Sequence, residues 1–144
     1  MSKNAHAAWE SILRVHALVL PRLEKTVFSS TGMSLTWYDV LLELNSAGGR
    51  LTMSQLGDRV VLSRSRVSRV VDELVGAALV KRQANSDDRR SSFAVLTTKG
   101  RERFLAAVKV YLPAIDSELG GVDEATLIQV THALNKLLET ADEG

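Results

Sequence analysis

The chain has 144 residues, 45% hydrophobic and 24% charged, with a net charge of +1 and no cysteine. A mean hydropathy of +0.01, with no uninterrupted apolar run of roughly 18 residues, argues for one soluble globular domain over residues 1–144, without a membrane span or secretion signal, and a cytoplasmic location is expected. Without thiols there are no disulfides, thiolate zinc sites or peroxide-sensing cysteine.

In chain order, residues 5–29 read as an amphipathic helix with Trp9, Ile12, Leu13, His16, Leu20, Leu23 and Val27 on one stripe. Pro21 lies inside it and removes the hydrogen bond to the Ala17 carbonyl, so a kink or break is expected there. Thr36 is expected to cap a second helix, with Asp39 completing an imperfect capping box and Trp37, Val40, Leu41 and Leu44 facing inward. Gly48 and Gly49 stop that helix. Thr52 and Gln55 form a full capping box that opens a third helix, in which Met53 and Leu56 face the core.

Ser63 caps a fourth helix whose Val67, Val70, Val71 and Leu74 repeat at helical spacing, ending near Ala77. Two β-rich runs, 79–84 and 92–96, flank the polar cluster Asn85, Ser86, Asp87 and Asp88 and read as a hairpin. Thr97 caps a long fifth helix bearing Phe104, Val108, Tyr111, Leu112, Ile115 and Leu119; Pro113 interrupts it and Gly120 and Gly121 end it. Asp123 caps a last helix with Leu127, Val130, Leu134, Leu137 and Leu138. The order defines a mainly α fold with a small β-wing: a winged helix-turn-helix over 36–96, flanked by terminal helices 5–29 and 97–142.

Charge is distributed unevenly along this order. Residues 1–58 carry five basic and five acidic groups; residues 59–103 carry eleven against five, and the remainder two against seven. A basic block in a nearly neutral chain suits a face that neutralises phosphates, with double-stranded DNA as the partner. On a helical wheel, Ser65, Ser68, Arg69 and Asp72 lie opposite the valines of the fourth helix. Arg66 flanks that polar face, and Arg64 sits nearer the apolar side, in reach of a phosphate. Ser65, Arg66 and Arg69 are therefore the expected base contacts in the major groove. Asp72 and Glu73 would repel phosphate, and their spacing predicts that they hold Arg69 at i+3 and i+4. In the hairpin, Arg82 and the tip residues Asp88, Arg89 and Arg90 complete the expected DNA surface. An arginine there can enter a narrow minor groove, with Asp88 accepting a hydrogen bond from Arg90 to fix its direction.

The stretch LTMSQLGDRVVLSRSRVSRVVDELVGAALVKR followed by NSDDRRSSFAVLTTKGRERF resembles the MarR family of bacterial transcription regulators. The D-x-R wing (Asp88, Arg90) and the L-T-x-x-G segment (Leu96, Thr97, Gly100) carry the resemblance, which extends over nearly the whole chain. It implies a homodimer built by the first, fifth and sixth helices, which binds a pseudo-palindromic operator. It also implies that Arg90 is the minor-groove arginine, and that a small aromatic or anionic effector acts between the dimerisation helices and the DNA-binding lobe. Three features depart from the family pattern. Val61 and Ala78 stand where glycine is common, which at a left-handed angle would cost alanine about 1 kcal/mol. Asn85 and Ser86 replace a common Asp-Pro, which would loosen the wing tip.

Apolar stripes on the terminal helices exceed what so small a core can bury, which independently favours dimerisation. Trp9, Arg14, His16, Trp37 and Tyr38 are candidate effector residues, although packing roles suit each, and His16 on its stripe reads as an interior histidine. Three separated histidines suggest no metal site, and no cofactor is expected. Ser63, Ser65, His16 and His132 supply nucleophile and base types, but no catalytic motif surrounds them and no enzyme is expected. The expected function is a ligand-responsive repressor; the alternative is a winged-helix protein for nonspecific DNA packaging or protein interaction without operator choice.

Overall fold

The computed structural model describes residues 1–60 and 62–143. Six helices and a small sheet follow in the order α1 (Lys3–Thr31), α2 (Leu35–Ser46), β1 (Arg50–Thr52), α3 (Met53–Arg59), α4 (Arg64–Gly76), β2 (Val80–Ala84), β3 (Ser92–Leu96), α5 (Thr98–Leu119) and α6 (Glu124–Asp142). Of the described residues 72% are helical, and the mainly α winged-helix architecture expected from the sequence is the one observed.

Helix boundaries follow local chemistry. Ser2 caps α1, its hydroxyl accepting from the Ala5 N–H at 3.1 Å. The helix runs through Pro21 without the expected break. A proline deletes a single backbone hydrogen bond, and Pro21 stands on the exposed side of a helix that packs against α5. Gly32, at φ +70°, turns the chain out of α1, and Arg103 of α5 donates to the Thr31 carbonyl at 2.9 Å, placing a cation at the helix C-terminus. The cap of α2 is Ser34, which accepts from Trp37 N–H at 3.1 Å, rather than Thr36, which lies inside the first turn. Thr52 and Gln55 form the reciprocal box that opens α3, and Ser63, Thr97 and Asp123 cap α4, α5 and α6 as their sequence positions suggest.

The sheet has the order β1-β3-β2, all antiparallel. Its first strand was not expected: three residues are too few for an alternating pattern, and Thr52 ends the strand while capping the next helix. Arg50 covers the Phe93 ring from across the strand pair, 4.2 Å from its centroid. Behind the sheet, Val40, Leu41 and Leu44 of α2 meet Leu56, Val67, Val71, Leu74, Leu79 and Ala94 in one buried cluster, which Phe104 of α5 closes.

The end of α4 is tied to the start of α5. Ala78 adopts φ +62°, the left-handed angle at which the family's glycine was expected; Val61, the other such position, lies outside the described residues. The Leu79 carbonyl accepts from Thr97 N–H at 3.1 Å, the Ala78 carbonyl from the Thr97 hydroxyl at 2.8 Å, and the Ala77 carbonyl from the Lys99 ammonium at 3.2 Å. Thr97 Oγ1 also accepts from Gly100 N–H at 2.9 Å. Gly100 passes so near Leu79 that an added Cβ would stand 2.0 Å from its carbonyl oxygen.

The terminal helices leave a long apolar surface uncovered. Arg22 of α1 is paired with Glu118 of α5, Nε donating to Oε1 at 2.9 Å, and this pairing lowers the pKa of the Glu118 carboxyl. Farther along α1, Trp9, Leu13 and Leu18 are exposed, and no residue of α6 is buried: Ile128 is 68% and Leu138 60% exposed.

Two substitutions at the α4–α5 junction test this description by thermal unfolding. Gly100→Ala forces a methyl into a backbone carbonyl and is expected to destabilise by about 3 kcal/mol, the upper end for overpacking. Ala78→Gly relieves the left-handed angle and is expected to stabilise by roughly 0.5–1 kcal/mol after the added backbone entropy of glycine.

Candidate nucleic-acid interface

Four valine and leucine side chains hold α4 in the core, which leaves its other face to solvent. Val67, Val70, Val71 and Leu74 are buried, whereas Arg64, Ser65, Arg66 and Arg69 are exposed. Ser63 Oγ accepts from Arg66 N–H at 3.4 Å and lies 3.3 Å from Ser65 Oγ, so the cap and the first exposed hydroxyl share one small cluster. Arg64, Arg66, Arg69 and Arg89 make no ion pair within 4.0 Å among the described residues. Their donors are free for an external acceptor.

Between α3, α4 and the wing lies an open cleft of about 360 Å³. Arg64, Arg82 and Arg90 line it together with Ser54, Ser68, Ser91 and Ser92, over an apolar floor that includes Val67. Arginine forks and hydroxyls converging on one cleft suit an anionic oxygen group. Ser54, Ser91 and Ser92 were not singled out in the sequence. Isolated serines carry no pattern, and the position of Ser54 in the first turn of the helix preceding α4 was the available signal.

The wing tip is closed by its own hydrogen bonds. Asn85 Oδ1 accepts from Asp87 N–H at 3.0 Å, and the Asn85 and Asp88 carbonyls accept from Asp88 and Ser91 N–H at 3.3 and 3.1 Å. Asn85 thus forms an Asx-turn that closes the tip expected to be loose without Asp-Pro. Asp88 Oδ1 accepts from Arg90 backbone N–H at 3.0 Å and lies 3.6 Å from Arg90 Nε. The expected orienting contact is therefore made chiefly through the main chain, leaving the Arg90 side chain 94% exposed.

The acidic residues of α4 are placed differently from expectation. Asp72 does not hold Arg69; its Oδ1 accepts from Arg82 Nη2 of β2 at 2.9 Å. Glu73 Oε2 accepts from the Trp37 indole N–H at 2.9 Å, linking α4 to α2. Arg82, expected on DNA, also donates to the Ser68 carbonyl at 3.4 Å and Ser68 Oγ at 3.3 Å. Both Arg82 and Ser68 are thus engaged within the chain. Part of the basic block is likewise internal: Arg59 stands 4.0 Å from Glu43, and Lys99 and Arg103 donate to main-chain carbonyls.

The five effector candidates do not converge within one chain. Tyr38 is buried, its ring 5.2 Å from Phe104 and edge-on to Tyr111 at 4.8 Å; burial and then the Asp39 charge raise its hydroxyl pKa. Trp37 is held by Glu73. Trp9 is 56% exposed, Arg14 pairs with Glu10 one turn away at 3.5 Å, and His16 is exposed on α1 instead of interior. The principal clefts are lined by other residues. Among the described residues no group of three or more His, Asp or Glu side chains is placed to hold a metal ion, and no helix is long and apolar enough to cross a membrane.

A winged helix presenting unpaired arginines from α4 and a wing-tip arginine defines a DNA-binding module. The model of the MarR family matches residues 31–91. The HTH-type transcriptional regulator MhqR of Bacillus subtilis (strain 168) is 38% identical over 106 residues, which are 74% of this chain and 72% of that protein. AbsC, a MarR family transcriptional regulator from Streptomyces coelicolor, superposes with a TM-score of 0.90 at 27% identity, over 100% of this chain and 98% of AbsC. Sco3205, a MarR family regulator from the same organism solved in complex with DNA, shares the fold with a TM-score of 0.88 at 21% identity, over 98% and 89% of the two chains. The chain belongs to the MarR family and is a DNA-binding transcriptional regulator.

Proposed function

We propose that the protein works in the cytoplasm as a homodimeric repressor, each protomer presenting α4 to the major groove and Arg90 to the adjacent minor groove of a pseudo-palindromic operator. The observation that carries this reading is the unpaired row Arg64, Arg66 and Arg69 on α4 beside the exposed Arg90, with an arginine- and serine-lined cleft between them. Arg66 and Arg69 are the base-reading residues, with Ser65 beside them; Arg64, Arg89 and the hydroxyls of Ser54 and Ser92 serve phosphates. The two recognition helices then read half-sites whose centres lie about 10 bp apart. Sco3205, with the same fold, has been solved with DNA, which supports DNA as the partner.

Dimerisation is supported by the uncovered apolar faces of α1 and α6. A row of side chains that includes Leu134, Leu137 and Leu138 is exposed on α6, none of whose residues is buried. A second protomer supplies one. Release by a small aromatic or anionic effector belongs to the same reading. Because the candidate residues line none of the principal clefts described in one protomer, its site is assigned to the surface completed by the second. Such a ligand shifts DNA binding only by its difference in affinity for the two arrangements of the dimer. No catalytic role is assigned to the protein.

Three outcomes test the proposal. Arg90→Ala should weaken operator binding and lower the slope of log K against log salt by about one unit; unchanged affinity and slope would remove the wing from the interface. Arg66→Ala and Arg69→Ala should each lose about 1–3 kcal/mol of discrimination at particular base pairs, read by competition among operator variants; uniform weakening would make them phosphate contacts. In sedimentation equilibrium the wild type should be dimeric and Leu137→Glu shifted toward monomer, whereas a monomeric wild type would defeat the dimer reading.

A further inference from the structure

Asp72 is an anomaly on this surface. It places a carboxylate, 67% exposed, on the helix that approaches a polyanion. Its partner is Arg82, an otherwise suitable phosphate ligand, whose side chain is 34% exposed. Arg82 Nη2 faces three acceptors on one edge of α4: Asp72 Oδ1 at 2.9 Å, Ser68 Oγ at 3.3 Å and the Ser68 carbonyl at 3.4 Å. Ser68 and Asp72 are one helical turn apart and lie on the same edge. Arg82 is the middle residue of β2, opposite Ala94 of β3, so the contact clamps the ribbon between its base and its tip. The tip beyond it, with Arg90, projects from a two-stranded ribbon, and any tilt at the base is enlarged there.

We propose that Asp72, Arg82 and Ser68 form a brace that fixes the wing against the recognition helix, so that the major-groove and minor-groove contacts engage DNA as one rigid unit. Asp72 and Arg82 are positioning residues: the brace sets where Arg90 stands relative to Arg66 and Arg69. This inference rests on the DNA-binding reading and adds to it a role for the acid that simple electrostatics disfavours.

The test turns on sign. DNA is selected from random duplexes by the wild-type protein, and binding is measured over a range of salt. Removing a carboxylate near phosphate should tighten binding if charge alone matters. The brace predicts instead that Asp72→Ala weakens binding about five- to tenfold, equivalent to roughly 1–1.4 kcal/mol, with little change in salt slope. Glu73→Gln removes the neighbouring charge while leaving an oxygen for the Trp37 N–H, and should bind at least as tightly as wild type. Arg82→Lys keeps the cation but loses the planar fork. It should weaken binding as Asp72→Ala does, and the Asp72→Ala/Arg82→Lys double variant should be little worse than either single one.

A DNA-free readout accompanies these: amide hydrogen exchange in β2 and β3 should be faster in Asp72→Ala, with the melting temperature nearly unchanged. Equal or tighter binding by Asp72→Ala with unaltered wing exchange would overturn the brace. A loss of about one unit of salt slope in Arg82→Ala would instead make Arg82 a phosphate contact. If the wild type selects no DNA sequence, the regulator reading falls, while wing exchange still decides whether the brace exists.

Discussion

The close passage of Gly100 over the Leu79 carbonyl is the constraint on which the DNA-binding surface depends. Only a residue without a side chain lets the first turn of α5 approach this strand entrance. That approach lets Thr97 bond twice to the preceding segment while capping its own helix. Three successive carbonyls, of Ala77, Ala78 and Leu79, are satisfied by Thr97 and Lys99 at the entrance to α5. The end of the recognition helix, the start of the wing and the start of the long helix are thereby fixed to one another. The junction thus adds to the buried valines of α4 a direct link between the arginine-bearing helix and α5.

On that frame, charge is divided between holding the protein together and meeting DNA. Arg103 completes the end of α1, Lys99 the end of α4, and Arg82 reaches from wing to helix. Arg64, Arg66 and Arg69 on α4 and Arg89 at the wing tip make no ion pair among the described residues, which leaves their donors for the phosphates of the proposed interface. The acids of α4 are also divided: Glu73 ties the helix to Trp37 of α2, and Asp72 ties it to the wing. The apolar surplus lies on α1 and α6, which flank the basic block in the chain order. The proposed association of protomers through α1 and α6 and the proposed contact with DNA through α4 and the wing therefore use different elements.

Local signals were well expressed in the sequence. The Thr52–Gln55 box, the caps at Ser63, Thr97 and Asp123, and the valine repeat of α4 each act within about one helical turn, and each appears where its spacing placed it. The glycine of the L-T-x-x-G segment and the left-handed Ala78 were legible as positions, though the carbonyl that makes Gly100 necessary was not. Contacts between distant residues escaped the reading. Asp72 is ten residues from Arg82, and Glu73 is 36 from Trp37; the helical spacing to Arg69 offered a nearer partner for both. The strand at Arg50–Thr52 was hidden because its length is below that of a recognisable alternation, and Ser34 was passed over for a second hydroxyl two residues on. Ser54 joined the interface through tertiary placement alone.

The central claim is that this surface recognises a particular DNA sequence. The direct measurement is a titration of the purified protein against fragments of the DNA upstream of its own coding sequence, with excess nonspecific competitor at near-physiological salt. The account predicts a complex that resists competitor, with one dimer bound over a pseudo-palindrome. Binding that competitor abolishes on every fragment, and that no duplex from a random pool escapes, would contradict it and leave a protein that holds DNA without reading it.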